Sequence, residues 1–325
     1  MKLPRRKFLH LAAGAAALPA LSRIASAQSY PTRPVSIIVG FPAGGGIDLD
    51  ARLMGQWLSD RLGQPFNVEN RTGAGSNIAT EAVVRAPADG YTLLLATAAN
   101  ALSPALFPNL NFNFIRDIAP VAGIAFIPIV MVVSPASPLK TVAEFVAYAK
   151  AHPGETTIGT TFAGSPVFMA AALFKVMAGL DVPLAQHSSD AAGIADLLTG
   201  KVHAHFAGAG AVMEDIKAGK LRALGITTST RSELMPDVPA IAESVPGYEA
   251  SSWAGLAAPR DTPAQIVETL NREVNAGLVD AKIKARIREL GGVPMRMDAA
   301  EFGKFIAEQT EKWGKVIRTA NIKAQ

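Results

Sequence analysis

The chain has 325 residues, of which 49% are hydrophobic, 18% are charged and none is cysteine. This length is typical of about two domains, and the composition is that of a globular protein with a sizeable core. The lack of cysteine excludes disulfides, zinc–thiolate sites and catalytic thiols.

The first 27 residues have the pattern of a removable export signal. A basic start is followed by an apolar stretch over residues 11–21 and by small residues up to Ala27, after which cleavage is expected. The pair Arg5-Arg6 favours the twin-arginine route. Pro4 and His10 depart from the usual twin-arginine pattern, so an ordinary Sec signal stays open. Either route predicts a periplasmic protein.

Removal of this signal changes the charge of the chain. The segment contains five basic residues and no acidic one, so the net charge falls from +4 to −1. No basic stripe remains in the mature chain, which argues against a nucleic-acid partner.

From residue 35 onwards, apolar segments of strand length alternate with helical patterns. This order predicts an α/β fold with parallel sheets that are covered on both faces. The predicted helices cover residues 48–62, 77–86, 141–151, 166–178, 190–199, 211–218 and 280–290, with two more that begin at 262–265 (TPAQ) and 298–301 (DAAE). In TPAQ the proline is expected at the first helical position.

One uncharged segment, residues 118–139, is long enough to span a membrane. Four prolines interrupt it, and proline breaks a helix because it lacks the backbone donor. We therefore predict two buried strands joined at Pro128 rather than a membrane helix.

The α/β pattern restarts in the middle of the chain, which predicts two lobes. The most economical division forms a first lobe from residues 29–129 and 253–325 and a second lobe from residues 130–252, with two strands that cross between them. Ligands of such sheets bind outside the carboxyl ends of the strands. The glycine-rich loops all fall at that edge.

The first of these loops, FPAGGGID, joins an apolar strand to a helix. Free N–H groups at a helix N-terminus bind anions, and Gly44–Gly46 would let a carboxylate approach the backbone. Asp48 is expected either to cap the helix or to accept a hydrogen bond from a hydroxyl or amine of the ligand. The spacing fits neither a dinucleotide fingerprint nor a P-loop.

No catalytic or metal motif is recognisable. Ser165 lacks the second glycine of a nucleophile elbow. His203 and His205 share one strand face, but no cysteine or acidic cluster accompanies them, so exposed or edge-strand histidines are expected rather than a metal site. His187 precedes a polar turn at another strand-to-helix loop.

Eight segments in order resemble one family. They are YPTRPVSIIVGFPAGGGIDLDAR, VENRTGAG, APADGYTLLLAT, DIAPVAGIAFIP, DLLTGKV, AGKLRALGITTSTRSELMPDVPAIAES, WAGLAAPRDTP and IVETLNREVN. Together they are similar to the Bug, or TctC, family of extracytoplasmic solute receptors of tripartite tricarboxylate transporters, over nearly the whole mature chain.

The resemblance implies two α/β lobes that close on a small carboxylate, a membrane permease as partner, a monomer, and neither catalysis nor a cofactor. It also implies that main-chain N–H groups and water hold the ligand. The residues it places at the ligand are Phe41, Ala43, Gly44, Gly45, Asp48, Gly75, Ser76, Asn77, Ala98, Thr161, Ala163, Gly164, Ser165, His187, Ser188, Asp190 and Ala207.

Two positions depart from the family pattern. His187-Ser188-Ser189 stands where relatives commonly carry Tyr-Lys-Gly, and Phe168 stands where they often carry histidine. The second lobe therefore offers less positive charge, unless His187 supplies it; alternatively, His187 only shapes its loop. A secreted α/β hydrolase and a sensor that docks a signalling receptor remain the alternative functions.

Overall fold

The computed structural model describes residues 30–319 and residue 322. The first part of the chain contains β1 (Val35–Val39), α1 (Gly46–Leu62), β2 (Phe66–Asn70), α2 (Asn77–Val84), β3 (Thr92–Thr97), α3 (Ala98–Leu106), α4 (Phe114–Asp117) and β4 (Ile118–Ile127).

The middle part contains β5 (Ile129–Val133), α5 (Val142–Ala151), β6 (Ile158–Thr160), α6 (Pro166–Met177), β7 (Leu184–Gln186), α7 (Asp190–Leu198), β8 (Ala204–Gly208), α8 (Ala209–Lys217) and β9 (Arg222–Ile226). The last part contains β10 (Ser252–Pro259), α9 (Ala264–Gly277), α10 (Ala281–Glu289), β11 (Val293–Pro294) and α11 (Ala299–Thr319).

These strands form two sheets, which give a two-lobed α/β fold. The six-stranded sheet has the order β11-β4-β10-β3-β1-β2, and the five-stranded sheet has the order β7-β6-β8-β5-β9. The expectation of parallel sheets is correct for β1, β2 and β3 and for β6, β7 and β8.

The same expectation is wrong for β5 and β10, which pair antiparallel with their neighbours. The reason is geometric. Ile129 at the start of β5 pairs with Gly208 at the end of β8, and Ala254 near the start of β10 pairs with Thr97 at the end of β3. Each strand enters its sheet at the carboxyl edge of the parallel strands, so it must run in the opposite direction.

The uncharged segment forms two strands, as predicted. β4 belongs to the six-stranded sheet and β5 to the five-stranded sheet, and Pro128 is the single residue between them. Within the described part of the chain, no helix combines the length and the apolar character needed to cross a membrane.

Several helix ends follow the sequence signals. α1 ends at Gly63, which adopts a left-handed φ of 72° and donates to Ser59. Thr141 caps α5, and Asp298 and Glu301 accept from each other's backbone N–H groups at α11.

One predicted helix start needs correction, and one helix was not predicted. α9 begins at Ala264, and Pro263 occupies the N-cap rather than the first helical position, because its ψ of 133° is not helical. α3 was not predicted, since Pro104 lies within it and its alanine-rich start carries no clear apolar period.

The last helix packs against both lobes. Phe302 of α11 contacts Trp253 of the six-stranded sheet edge-on, with 5.6 Å between ring centroids. Further along, Trp313 is buried in the cluster that contains Phe174 of the second lobe. The buried residues Phe302, Ile306, Trp313 and Ile317 of this helix therefore belong to the core.

Candidate functional site

A cavity of about 460 Å³ lies where the carboxyl edges of the two sheets face each other. We call it the cleft cavity. Its walls come from the first lobe, from the crossing strands on either side of Pro128, and from the second lobe. The lining residues are Phe41, Gly46, Ile47, Leu49, Asp50, Thr97, Ile127, Ile129, Pro166, Val167, Asp190, Gly208, Gly210, Ala211, Ser252, Glu289 and Leu290.

Five helices begin at this cavity. Its lining includes Gly46, Pro166 and Asp190, which are the first residues of α1, α6 and α7. It also includes Thr97 and Gly208, the N-caps of α3 and α8. The first N–H groups of a helix lack intrahelical partners and lie at the positive end of its dipole. The cavity therefore offers an environment that favours an anion.

The first glycine loop leaves open space at this wall. A Cβ added to Gly46 would meet no other atom within 4 Å, and one added to Gly45 would meet only the Pro42 carbonyl at 3.5 Å. Gly44 adopts a φ of +82°, which disfavours other residues. Glycine is favoured at position 44 by the backbone conformation. At positions 45 and 46 the lack of a side chain leaves space free in front of the loop.

Asp48 holds this loop in shape. Its carboxylate is 1% exposed and accepts hydrogen bonds from Gly44 N at 2.8 Å, Arg52 Nε at 2.8 Å and Asn70 Nδ2 at 2.8 Å. Burial would raise the pKa of Asp48, but hydrogen bonds from Arg52, Gly44 and Asn70 outweigh it and hold the pKa below its usual range. The side chain acts within the loop, and it is not part of the lining of the cleft cavity.

Asp50 has the opposite environment. It lies one helical turn after Gly46, is 3% exposed and lines the cleft cavity. Its Oδ1 atom is buried and has no hydrogen-bond partner among the described residues. Burial raises the pKa of this carboxyl to about 7. Sequence reasoning missed Asp50; the available signal was its i+4 spacing from the last glycine of the loop.

The second glycine loop is a tight left-handed turn. Gly73, Ala74, Gly75 and Ser76 all have φ between 46° and 128°. Left-handed backbone costs about 1–2 kcal/mol for residues other than glycine, so Ala74 and Ser76 store strain here. Such strain persists where surrounding contacts impose the conformation.

A buried network next to this turn ties it to the start of α3. Asn100 accepts from Thr97 N at 2.7 Å and donates to Thr80 Oγ1 at 2.8 Å and to Ser76 Oγ at 3.4 Å. Both polar side-chain atoms of Asn77 are buried without a described partner.

Gly75 lines a second, smaller cavity of about 210 Å³, together with Ala163 and Gly164 of the second lobe. Ala163 N already donates to Gln186 Oε1 at 2.8 Å. The predicted ligand residues Gly75, Ala163 and Gly164 therefore line the same cavity, but this cavity is distinct from the cleft cavity.

The hydroxyls at the start of α6 are engaged locally. Thr161 and Ser165 share a hydrogen bond of 2.6 Å between their Oγ atoms, and Ser165 also accepts from Phe168 N. Ser165 is thus the N-cap of α6.

His187 is also engaged by protein groups. Its Nδ1 lies 3.1 Å from the Thr160 carbonyl and its Nε2 lies 3.3 Å from Asp196 Oδ2. His187 and Ser188 line neither cavity. This arrangement favours the interpretation in which His187 shapes its loop.

Asp190 lines the cleft cavity, and the side chain of His205 lies behind it. Asp190 Oδ2 accepts from Gly208 N at 3.3 Å, and its Oδ1 lies 3.5 Å from His205 Nε2. The expectation of an exposed or edge histidine is wrong for His205, which is fully buried on β8 in the interior of its sheet. Gly159 and Gly193 make room for its ring, because a Cβ on either would collide with the imidazole.

Of the predicted ligand residues, Phe41 and Asp190 line the cleft cavity. Three further predicted residues are next in sequence to a lining residue. Gly45 precedes Gly46, Ala98 follows Thr97, and Ala207 precedes Gly208. The remaining predicted residues that line neither cavity are Ala43, Gly44, Asp48, Ser76, Asn77, Thr161, Ser165, His187 and Ser188.

Among the described residues, no group of three histidine or acidic side chains is arranged to hold a metal ion. The cleft cavity combines helix N-termini, apolar walls and three acidic side chains. Two α/β lobes around such a cavity define a solute-binding protein of the periplasmic type.

The chain belongs to the tripartite tricarboxylate transporter family receptors, whose family model matches residues 51–322. It is 35% identical over 301 residues to Protein BugT of Bordetella pertussis, a match that covers 92% of each chain. Members of this family are solute-binding receptors and not enzymes.

Solved structures agree with this assignment. A protein of R. palustris, Rpa4515 with adipate, has a TM-score of 0.80 and 34% identity, and the match covers 91% of this chain and all of that one. MatC from Rhodopseudomonas palustris with bound malate has a TM-score of 0.76 and 29% identity, covering 89% of this chain and all of that one.

Proposed function

We propose that this protein captures a small organic acid in the periplasm and delivers it to a tripartite tricarboxylate-type membrane transporter. The observation that carries the proposal is the convergence of five helix N-termini on the cleft cavity. Because unpaired N–H groups and helix dipoles favour negative charge, a carboxylate is the expected ligand group. Two similar structures contain carboxylates, adipate in one and malate in the other.

The proposed binding mode relies on the main chain. The first turns of α1, α6 and α8 would donate to the carboxylate, and apolar side chains such as Ile47, Ile127 and Val167 would contact its carbon skeleton. A cavity of this size and composition is typical of small-molecule sites.

The lobes proposed to close on the ligand are residues 29–129 with 253–325 and residues 130–252. The β4–β5 junction at Pro128 and the entry into β10 at Ser252 would carry the motion. Both junctions also line the cleft cavity through Ile127, Ile129 and Ser252, so ligand contact and lobe position would be coupled.

Titration calorimetry of the mature protein with a panel of mono- and dicarboxylates tests the ligand class. Saturable binding of at least one acid at micromolar affinity is expected. Absence of binding across the panel, together with turnover of generic ester substrates, would instead support the hydrolase alternative.

The proposal also covers export and partners. The mature protein would begin at Gln28, after cleavage following Ala27, and intact-mass analysis of the periplasmic form checks this. Replacement of Arg5-Arg6 by Lys-Lys should block export by the twin-arginine route. A monomer by light scattering, and co-purification with permease subunits from membranes, are the expected partner results.

A further inference from the structure

Asp50 is the one acid lining the cleft cavity that has neither a hydrogen bond nor an ion-pair contact among the described residues. Three ionisable side chains line the cleft cavity, Asp50, Asp190 and Glu289, and all three are acidic. Glu289 accepts from Arg286 at 2.8 Å, and Asp190 lies beside Gly208 N and His205. Within the described chain, no lysine, arginine or histidine lines this cavity, and no hydrogen bond reaches the Asp50 carboxyl.

A buried carboxyl in this position must resolve its charge in one of two ways. Transfer of an unpaired carboxylate into an apolar site is costly, so the group either takes up a proton or meets a cation. Burial raises the pKa of Asp50 to about 7, which corresponds to the first outcome. A cationic group on the ligand would provide the second.

The position of Asp50 relative to the helix N-termini suits a ligand with two opposite charges. Asp50 follows Gly46 by four residues, which is about 6 Å along the axis of α1. A carboxylate at the first turn of α1 therefore leaves an amino substituent of the same small molecule within reach of Asp50. A second carboxylate at that place would instead face Asp50, with Asp190 and Glu289 also on the cavity wall.

We propose that Asp50 selects for an ammonium group, so that the preferred ligand is a small amino acid whose carboxylate lies at the converging helix N-termini and whose ammonium group pairs with Asp50. This inference rests on the proposed function and specifies the ligand class of the same site.

Matched ligand pairs test the inference. Alanine, aspartate and glutamate are titrated calorimetrically against propionate, succinate and glutarate, which have the same carbon skeletons without the amine. The wild type should bind at least one amino acid roughly 10-fold or more tightly than its partner, as expected for a charge-assisted hydrogen bond in a buried site.

Asp50→Asn should reduce this preference to roughly 2-fold or less, since a neutral amide cannot balance an ammonium group. Asp261→Asn is the matched control, because Asp261 is exposed, lies outside the cleft cavity and loses the same charge. It should keep the wild-type preference.

The pH dependence adds a second measurement. Pairing with ammonium needs ionised Asp50, so the preference should weaken as pH falls from 8 to 5.5. Asp190, Glu289 and the buried His205 also face this region. A pH dependence that persists unchanged in Asp50→Asn would assign it to those groups and overturn the role of Asp50.

The two proposals fail in different ways. If the wild type prefers the acids without an amine, or if Asp50→Asn keeps the amino preference, the inference is wrong and the carboxylate receptor stands. If none of the six probes binds, the proposed function itself is contradicted for small acids.

Discussion

The two faces of α1 use the same type of side chain in opposite ways. On the face that lies outside the cavity, the buried Asp48 accepts three hydrogen bonds and fixes the glycine loop to Arg52 and Asn70. On the cavity face, two residues further on, Asp50 is equally buried but has no described partner. The first carboxylate is hydrogen-bonded within the fold, whereas Oδ1 of the second has no hydrogen-bond partner among the described residues.

We interpret this difference as one between a structural acid and an acid that our proposal assigns to binding. A buried polar group that stabilises a fold is hydrogen-bonded, and an unpaired one costs stability. Costs of this kind are retained mainly where function requires them. The comparison therefore predicts that mutations on the two faces change different properties, stability on one and binding on the other.

The largest effect on ligand affinity is expected at the glycine turn that precedes α1. Gly46→Val should weaken carboxylate binding by about 1–3 kcal/mol, roughly 5- to 150-fold in Kd, because it fills ligand space at the N-terminus of α1. Gly45→Val should act in the same direction, and calorimetry measures both.

Gly154→Val is the matched control for these variants, since Gly154 is exposed and a Cβ there also meets no atom within 4 Å. Its affinity should stay at the wild-type value. Wild-type affinity in Gly46→Val would instead show that the ligand does not bind at this turn.

On the face that lies outside the cavity, Asp48→Ala should lower the free energy of unfolding by about 2–3 kcal/mol, since hydrogen-bonded groups lose a charged partner. Urea denaturation checks this. Asp60→Ala on the same helix is the control, because Asp60 is exposed and surface changes usually stay within about 0.5 kcal/mol. Equal costs for the two variants would contradict the structural role of Asp48.

On the cavity face, Asp50→Asn should gain stability relative to the wild type as pH rises. The folded pKa of about 7 exceeds the unfolded value of about 3.9, so between these pH values the native state holds a proton that the unfolded state lacks. The free energy of unfolding of the wild type therefore decreases as pH rises over this range, because of Asp50. The variant has no carboxyl at this position and should not show this decrease.

The difference between the two proteins is expected to be on the order of 1 kcal/mol or more by pH 8, measured by urea denaturation from pH 4 to 8. A difference that does not change with pH would mean that Asp50 is ionised and paired in the native state.

The smallest effect is expected at His187, which lies outside the cleft cavity and contacts Thr160 and Asp196. His187→Asn should change ligand affinity by about 2-fold at most, in keeping with the ±0.5 kcal/mol typical of positions without a special role. A large loss, with affinity that rises in the wild type but not in the variant from pH 8 to 6, would restore His187 as an anion contact.

The sequence predicts the edge of the fold at which the cleft cavity lies. The glycine loop at Gly44–Gly46 marked a strand-to-helix turn with open space, and the order of the segments indicated two lobes. These features depend on residues that are close together in the sequence, so they can be predicted from it.

Properties that depend on packing between distant segments were missed. Asp50 resembles a solvent-facing helix residue until α1 is placed at the cleft cavity, and His205 resembles an edge histidine until β8 is placed between β6 and β5. Likewise, the antiparallel entry of β5 and β10 follows from where the chain crosses between lobes, and not from the apolar pattern of either strand.

A crystal structure of the protein with a bound amino acid or carboxylate tests the central claim most directly. We expect the ligand in the cleft cavity, with carboxylate oxygens about 2.7–3.2 Å from backbone nitrogens in the first turns of α1 and of a second-lobe helix. A ligand seated in the smaller cavity beside Gly75, or one whose carboxylate is held away from every helix N-terminus, would contradict the account.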